Sequence, residues 1–313
     1  MNARDIVRLT CRRPMAIGAL CERLACTKRE LLAEIRDARK AGAIIEIVEG
    51  FVGTRVRIGA EPTVRIGRAK PGRHLVAHVT DLHAGSKYFD ADALSEFLEV
   101  AWERGARCLV NTGDNLDGHK DVLLLEQKHV GFDAQATALV DVFRKAPPFA
   151  IVAIDGNHDG YFSNSTGFVS GKLLEHRMRE ERVSWTFAGV CLGSAIVEGS
   201  RWQLWHPHGG ASTRNALRRI LNARVEAMHE PLDFLAMGHF HKFTSVPTFP
   251  EGVFAFSGGT FQRKRSEFAN RISSAWDVGG TLVSFDLDRK GRVSHQAAEF
   301  IGQGSDNFGV FAA

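Results

Sequence analysis

Apolar and polar positions follow two different patterns along this chain, and they meet near residue 74. From there onward, short apolar runs alternate with stretches of helical spacing, the texture of a layered α/β domain. The runs that predict strands cover 75–79, 108–111, 150–154, 190–197, 202–205, 234–237, 253–256 and 281–286. The amphipathic stretches predict helices over 92–104, 122–143, 170–181 and 213–228. No internal repeat or low-complexity segment interrupts them.

Residues 1–60 read differently. Ile6, Val7 and Leu9 suit a short helix over 5–11, and Ile17, Leu20, Cys21 and Leu24 have helical spacing over 16–25. Thr27 followed three residues later by Glu30 is a capping box, in which each side chain satisfies the other's free backbone N–H. It opens a third helix that turns Leu31, Leu32, Ile35 and Ala38 inward and stops at Gly42. Two β-rich stretches, 44–49 and 51–58, then flank Gly50 as a hairpin. Residues 61–73, with two Pro, two Gly and four basic side chains, read as a linker to a domain spanning 74–313.

Composition narrows the function classes. No run of about eighteen apolar residues is present, and the first residues lack the apolar core of a signal peptide, so a cytoplasmic location is expected. The five cysteines form no CxxC pair, which argues for reduced thiols rather than a disulfide framework. Cys11, Cys21 and Cys26 have no fourth ligand nearby to complete a zinc site. Charge is unevenly distributed. Residues 1–73 carry sixteen Lys and Arg against eight Asp and Glu, a balance of +8, whereas the remaining 240 carry 24 against 28, a balance of −4. A basic module on a mildly acidic body suits a polyanionic partner.

Five short islands carry the chemistry: Asp81-Leu-His83, Gly113-Asp114-Asn-Leu-Asp117, Gly156-Asn157-His158-Asp159, His208-Gly209 and Gly238-His239-Phe-His241. Each offers oxygen or imidazole-nitrogen donors, and most follow an apolar run that reads as a buried strand. Donors of mixed type suit Mn²⁺, Fe or Zn²⁺ better than Ca²⁺. Two such cations about 3.5–4 Å apart can activate water and clamp both oxygens of an in-line displacement at phosphorus.

In this order the islands resemble the calcineurin-like metallophosphoesterase superfamily, whose motifs are Asp-x-His, Gly-Asp-x-x-Asp, Gly-Asn-His-Asp/Glu, His-Gly and Gly-His-x-His. The resemblance spans residues 75 to about 290. It implies an α/β fold, a layered β-sandwich flanked by helices, and two divalent metal ions, with manganese expected. One ion would be held by Asp81, His83, Asp114 and His241. The other would be held by Asp114, Asn157, His208 and His239, with Asp114 bridging. His158 would face the substrate and protonate the leaving oxygen while a hydroxide shared between the ions attacks phosphorus.

Several neighbouring residues leave alternatives open. His206 stands two positions before His208, and geometry alone admits either; the family's histidine directly before glycine favours His208. His74 and His78 read as packing or surface residues, and His119 as a loop histidine able to approach the substrate phosphate. Asp117 and Asp159 read as residues that orient the ligands, and Asp155 as a cap on its own loop.

The substrate must be read from outside the ligands. Only 48 residues separate Asp159 from His208, and 29 separate His208 from Gly238, too few for a large capping domain. An open cleft admits a polymer, and the segment Phe261-Gln-Arg263-Lys264-Arg265 can extend a positive path beside it. Residues 1–60 resemble a winged helix-turn-helix domain. That resemblance implies phosphate contacts from Lys28, Arg29, Arg36, Arg39 and Lys40 on the third helix, and from Arg55 and Arg57 on the wing. Together these features suggest a DNA phosphodiesterase broadly like the Mre11/SbcD type of nuclease or its phage-encoded relatives, with a homodimer compatible. In those nucleases the winged helix does not precede the catalytic domain as it does here. The alternative is a phosphomonoesterase or small-molecule phosphodiesterase whose N-terminal module contacts protein.

Overall fold

The computed structural model describes residues 6, 15–40, 44–48, 51–55, 63–119, 125–166, 168–210, 212–228, 231–247, 252–263, 276–303 and 308–312. Residues 36–40, 44–48, 51–55, 163–166, 247, 303 and 308–312 are described by their backbone alone. The chain divides into two compact units, residues 1–60 and 61–313.

In the first unit, strand β1 (Met15–Ala16) leads into helices α1 (Ile17–Leu24) and α2 (Lys28–Lys40), followed by strands β2 (Ile44–Val48) and β3 (Phe51–Arg55). The three strands form an antiparallel sheet in the order β1-β3-β2. Ile6 is helical and buried, while the rest of the expected 5–11 helix lies outside the described residues. The capping box forms as read. Thr27 N–H donates to the Glu30 carboxylate at 2.8 Å, and Glu30 N–H donates to the Thr27 hydroxyl at 3.3 Å. Leu20, Leu31 and Ile35 close a small core with Ile6.

The second unit runs β4 (Val64–Ile66), β5 (Gly72–Val79), α3 (Ala91–Glu103), β6 (Cys108–Asn111), α4 (Phe132–Lys145), β7 (Ala150–Asp155), α5 (Asp159–Thr166), α6 (Ser170–Glu180) and β8 (Trp185–Val190). It continues with β9 (Leu192–Val197), β10 (Ser200–Trp205), α7 (Arg214–Glu226), β11 (Phe234–Met237), β12 (Thr244–Pro247), β13 (Phe254–Ser257), β14 (Gly279–Leu287), β15 (Val293–Gln303) and β16 (Phe308–Ala312). Two sheets result, one ordered β16-β15-β14-β5-β6-β7-β8 and the other β12-β13-β11-β10-β9-β4.

Burial on both faces explains why their central strands read as unbroken apolar runs. In β11, Phe234 and Ala236 enter the core between the sheets, whereas Leu235 and Met237 meet α7 through Leu217, Leu221 and Val225. In β5, Val76 faces the inter-sheet core, and Ala77 and Val79 face the layer containing α3, α4 and α6. The architecture is therefore helix, sheet, sheet, helix, the flanked sandwich expected from the sequence.

Several expectations need correction. Residues 64–66 are not linker, because Val64–Ile66 pairs in parallel with β9 as an edge strand and β5 begins at Gly72. Helix α4 begins at Phe132 rather than 122, since Gly131 at φ +86° precedes it. The run at 190–197 holds strand β9 and only the last residue of β8, whose residues 185–189 the apolar pattern left unread; the two are broken at Cys191, which takes the left-handed conformation at φ +56°. Strands β4, β12, β15 and β16 and helix α5 had no clear sequence signal. Their patterns are short, or polar on alternate positions without an apolar face long enough to read.

Trp202 anchors the inter-sheet core, only 1% exposed and stacked on Phe234 at 4.5 Å between ring centroids. Its indole N–H donates to Ser200 Oγ at 2.7 Å. Trp202→Ala should destabilise the domain by about 3–5 kcal/mol, read as a lower urea midpoint at unchanged slope; an unmoved midpoint would contradict this packing.

Candidate metal centre

Strands β5, β6, β7 and β8 run parallel, as do β10, β11 and β13, so their carboxyl ends lie at common edges of the two sheets. The islands leave from these ends. Asp81 and His83 follow β5, Asp114 follows β6, Asn157 and His158 follow β7, His206 follows β10, and His239 and His241 follow β11. An open α/β sheet presents its site at this edge because the chain must turn there and cannot continue its ladder.

The turns are strained. Asp81, His83, Asp114, His239 and His241 hold φ of +52°, +49°, +50°, +88° and +56°. Such left-handed conformations cost on the order of 1–3 kcal/mol per non-glycine residue. Glycine relieves crowding where backbones meet. A Cβ on Gly156 would collide with the Asp114 carboxylate, and one on Gly113 would come within 2.7 Å of the Gly156 backbone nitrogen.

The side chains form two donor groups around one shared oxygen. In the first, His241 Nε2 lies 3.2 Å from Asp81 Oδ1 and 3.3 Å from His83 Nε2, which is 3.7 Å from Asp114 Oδ2. In the second, His206 Nε2 lies 3.2 Å from the same Asp114 Oδ2 and 3.1 Å from Asn157 Oδ1, which is 2.8 Å from His239 Nδ1. Neighbouring nitrogen ligands about 2.0–2.1 Å from a cation stand about 2.8–3.4 Å apart at octahedral to tetrahedral angles. Most of these separations fall in that range, so the residues fit two divalent ions.

Outer contacts fix which ring nitrogens face inward. His206 Nδ1–H donates to the Thr112 carbonyl at 2.7 Å, and His83 Nδ1–H donates to Asp117 Oδ1 at 3.3 Å, leaving each Nε2 lone pair for the centre. Asp81 accepts from the Thr80 hydroxyl at 2.7 Å and from His239 N–H at 2.9 Å. Asp159 binds the backbone N–H groups of Asn115, Leu116 and Gly156, tying the second and third islands together.

Asp81, Asp114, Asp117, Asp155 and Asp159 are all buried, an arrangement that calls for positive charge. Burial opposes charge on His206, but the Asp114 carboxylate overrides it and pushes the ring up to about 9. Burial would raise Asp114, yet His206 holds it well below the usual carboxylate range. Asp81 also resists its burial and sits at about 2, chiefly through His241. Burial and the neighbouring His206 hold His239 down to about 4. A proton on His206 is thus standing where a cation's charge would serve.

Of the residues expected at the centre, Asp81, His83, Asp114, Asn157, His239 and His241 are brought together, and His208 is not. His208 is exposed beyond the strand-end turn, and buried His206 takes the position beside Asp114. The signal for His206 was available: it directly follows the apolar strand β10, so the turn aims it inward, whereas His208 is two residues further out. His158 lies against the centre, its backbone N–H donating to Asp114 Oδ1 at 2.7 Å and its Nδ1–H to the Asp117 carbonyl at 2.9 Å. It is 21% exposed, open enough to meet a substrate.

Gln127, which sequence reasoning passed over, donates to Asp117 Oδ2 at 3.2 Å and to the Gly118 carbonyl at 2.6 Å. His78 is buried against Thr112 and Phe256, His74 pairs with Glu198, and His119 is exposed outside the donor groups. Asp155 does not cap its own loop; its carboxylate accepts from Ser170 and Gly171 at the start of α6. Arg263 is held by Asp90 at 2.9 Å and adds little free charge, while 264 and 265 lie outside the described residues. Lys28 and Arg29 are exposed on α2. The side chains of Arg36, Arg39, Lys40 and Arg55, and all of Arg57, lie outside the described residues.

The calcineurin-like phosphoesterase family model matches residues 74–243, more than half of the chain and all of the donor residues. The chain belongs to that family. Its members are metal-dependent hydrolases that typically bind two divalent ions, in keeping with the His and Asp groups found here. No curated protein sequence matches the chain. Among solved structures, a hypothetical protein from Pyrococcus horikoshii is similar over 74% of this chain and 88% of its own at 12% identity, with a TM-score of 0.39. Vps29 from Chaetomium thermophilum is similar over 75% and 98% respectively at 12% identity, with a TM-score of 0.37. No helix among the described residues is long and apolar enough to cross a membrane.

Elemental analysis of the metal-loaded phosphoesterase should find about two divalent ions per chain. His206→Ala should lower that content and His208→Ala should preserve it; the opposite pattern would restore His208 to the centre. Because the His206 proton is retained up to about pH 9 and ligation requires its loss, metal uptake at pH 7 should release about one proton per chain. Calorimetry in buffers of different ionisation enthalpy would detect it, and uptake without proton release would contradict the placement of His206.

Proposed function

We propose that this phosphoesterase hydrolyses phosphodiester bonds and that DNA is its substrate class. The hydrolytic part is carried by the oxygen Asp114 Oδ2, common to both donor groups, with His158 beside it. Asp81, His83, Asp114 and His241 would hold one divalent ion, and Asp114, Asn157, His206 and His239 the other. Bound there, two such ions supply Lewis-acid charge for the phosphoryl oxygens and acidify water.

The chain's own residues do the rest. His158 has Nδ1 engaged by the Asp117 carbonyl, so Nε2 is its outward nitrogen and can deliver a proton to the departing oxygen. Asp117 fixes His83 from behind and shares the Gln127 amide, which holds the carboxylate in place. The buried Thr112 carbonyl keeps His206 from turning.

DNA as the substrate rests on charge and organisation. The balance of +8 in residues 1–73 against −4 in the remainder is the asymmetry of a module that meets a polyanion. The order β1, α1, α2, β2, β3, with β1 pairing to β3, supports a winged-helix reading of the first unit, and Lys28 and Arg29 stand exposed on its capped helix. Phosphate contacts from that helix are the expected mode.

With Mn²⁺ and bis-p-nitrophenyl phosphate, Asp114→Asn should abolish turnover, and His158→Ala should lower kcat by about 10²–10⁴-fold with metal content retained. Unchanged turnover in both would remove the hydrolytic assignment. In parallel, the full chain should cut at least one of duplex, single-stranded or hairpin DNA, and Lys28→Glu with Arg29→Glu should weaken DNA binding. Hydrolysis of nucleoside monophosphates with no cleavage of any DNA would replace this reading with a phosphomonoesterase.

A further inference from the structure

Helix α7 carries two arginines, Arg218 and Arg219, that neither the donor groups nor the fold uses. Its sequence, Arg-Asn-Ala-Leu-Arg-Arg-Ile-Leu-Asn-Ala-Arg-Val-Glu, buries Leu217, Leu221 and Val225 and leaves a single acidic residue, Glu226, in its final turn. Arg218 and Arg219 are exposed, as are the amides Asn215 and Asn222. Neither arginine has an ion-pair or hydrogen-bond partner among the described residues. A solvated helix face of ordinary composition would intersperse carboxylates with these arginines, and this one does not.

The helix is fastened directly to the metal-ligand loops. It starts at the Thr213 cap, seven residues after His206, with Thr213 Oγ1 accepting from Ala216 N–H at 3.3 Å. Phe240, the residue between His239 and His241, packs in the same core as Leu217 and Leu221, with Ile220 against it. Arg214 donates to Asp277 at 2.6 Å and to the Phe243 carbonyl at 3.3 Å, while Asp277 N–H donates to the His241 carbonyl at 2.9 Å. Arg214 is therefore committed to bracing the His241 loop. Arg218 stands one helical turn further along the same edge, and half-buried Lys242, adjacent to His241, also lacks a partner among the described residues.

We infer that Arg218 and Arg219, with Lys242, form a phosphate-contact strip on the phosphoesterase domain itself, and that it binds backbone phosphates of a DNA strand flanking the one in the centre. This rests on the DNA reading above and extends it, because it gives the catalytic unit its own grip on a polymer, separate from the N-terminal unit. Arginines serve this role through planar guanidinium forks matched to phosphate, and the neighbouring amides add donors to the same track.

The test is fluorescence anisotropy of a labelled DNA oligonucleotide with the full chain in EDTA, so that binding is read without turnover. The Arg218→Glu, Arg219→Glu double variant should raise Kd about tenfold or more. It should also flatten the dependence of log K on log salt by about 1–2, the value for losing two phosphate contacts. The milder Arg218→Gln, Arg219→Gln variant should lie between, which keeps the test decisive if charge reversal perturbs folding. An unchanged Kd and slope in a wild-type protein that binds and cuts DNA overturns the strip alone. A wild-type protein that neither binds nor cuts DNA overturns the substrate reading together with it. Loss of binding to anionic lipid vesicles, with DNA binding untouched, would assign the face to a membrane and also overturns the proposal.

Discussion

One carboxylate oxygen, Asp114 Oδ2, has imidazole nitrogens from two different sheets around it, His83 after β5 at 3.7 Å and His206 after β10 at 3.2 Å. Everything else at the centre adjusts to that sharing. The oxygen can occupy this position only because Asp114 adopts a left-handed backbone and because Gly156 leaves room for its carboxylate. Its charge sits among four further buried carboxylates, and desolvated anions are tolerated only where cations or aimed donors offset them. Part of the offset comes from backbone N–H groups directed at Asp159 and Asp81. The remainder falls to the histidines: Asp114 drives His206 toward protonation, while desolvation and the neighbouring His206 drive half-buried His239 away from it. Divalent ions meet the same electrostatic demand with more charge and no need for protons, so the preference for metal is built into the packing.

That arrangement also separates what could be read in the sequence from what could not. The central strands were legible because both of their faces are buried, and an unbroken apolar run such as Phe234-Leu-Ala-Met237 has few other uses. Ligands placed directly after such runs were legible for the same reason. Pairing a histidine with glycine favoured His208 over His206, because that pattern is indifferent to which side of the chain faces inward. The structure decides by geometry: the turn leaving Trp205 aims the first histidine at Thr112 and Asp114. Edge elements were least legible. Val64–Ile66 is three residues long and lies in a stretch rich in Pro and Gly, and its pairing with β9 is set by a partner more than a hundred residues away. Local composition cannot report a long-range ladder of that kind.

The N-terminal unit shows the opposite balance. Its capping box was readable residue by residue, because Thr27 and Glu30 interact within one helical turn. Its functional meaning was readable only as an excess of charge, which does not specify a ligand. The basic face of α7 lies outside that excess, on the second unit. Arginines without counter-charges stand on a helix whose buried side touches the residue between two ligand histidines.

This attachment ties α7 to the metal-ligand loops, and the same packing links the ligand set to the stability of the domain. The first donor group takes His241 from the sheet containing β11 and takes Asp81 and His83 from the sheet containing β5, so both sheets must be in register for the ligands to converge. The apolar layer between them, with Trp202 stacked on Phe234 and Phe256 at its edge, sets that register. Ion binding then returns stability to the sandwich, since a ligand at a thousandfold its dissociation constant stabilises the native state by about 4 kcal/mol. The strained turns at Asp81, His83, Asp114, His239 and His241 persist because the packed sheets on either side hold them.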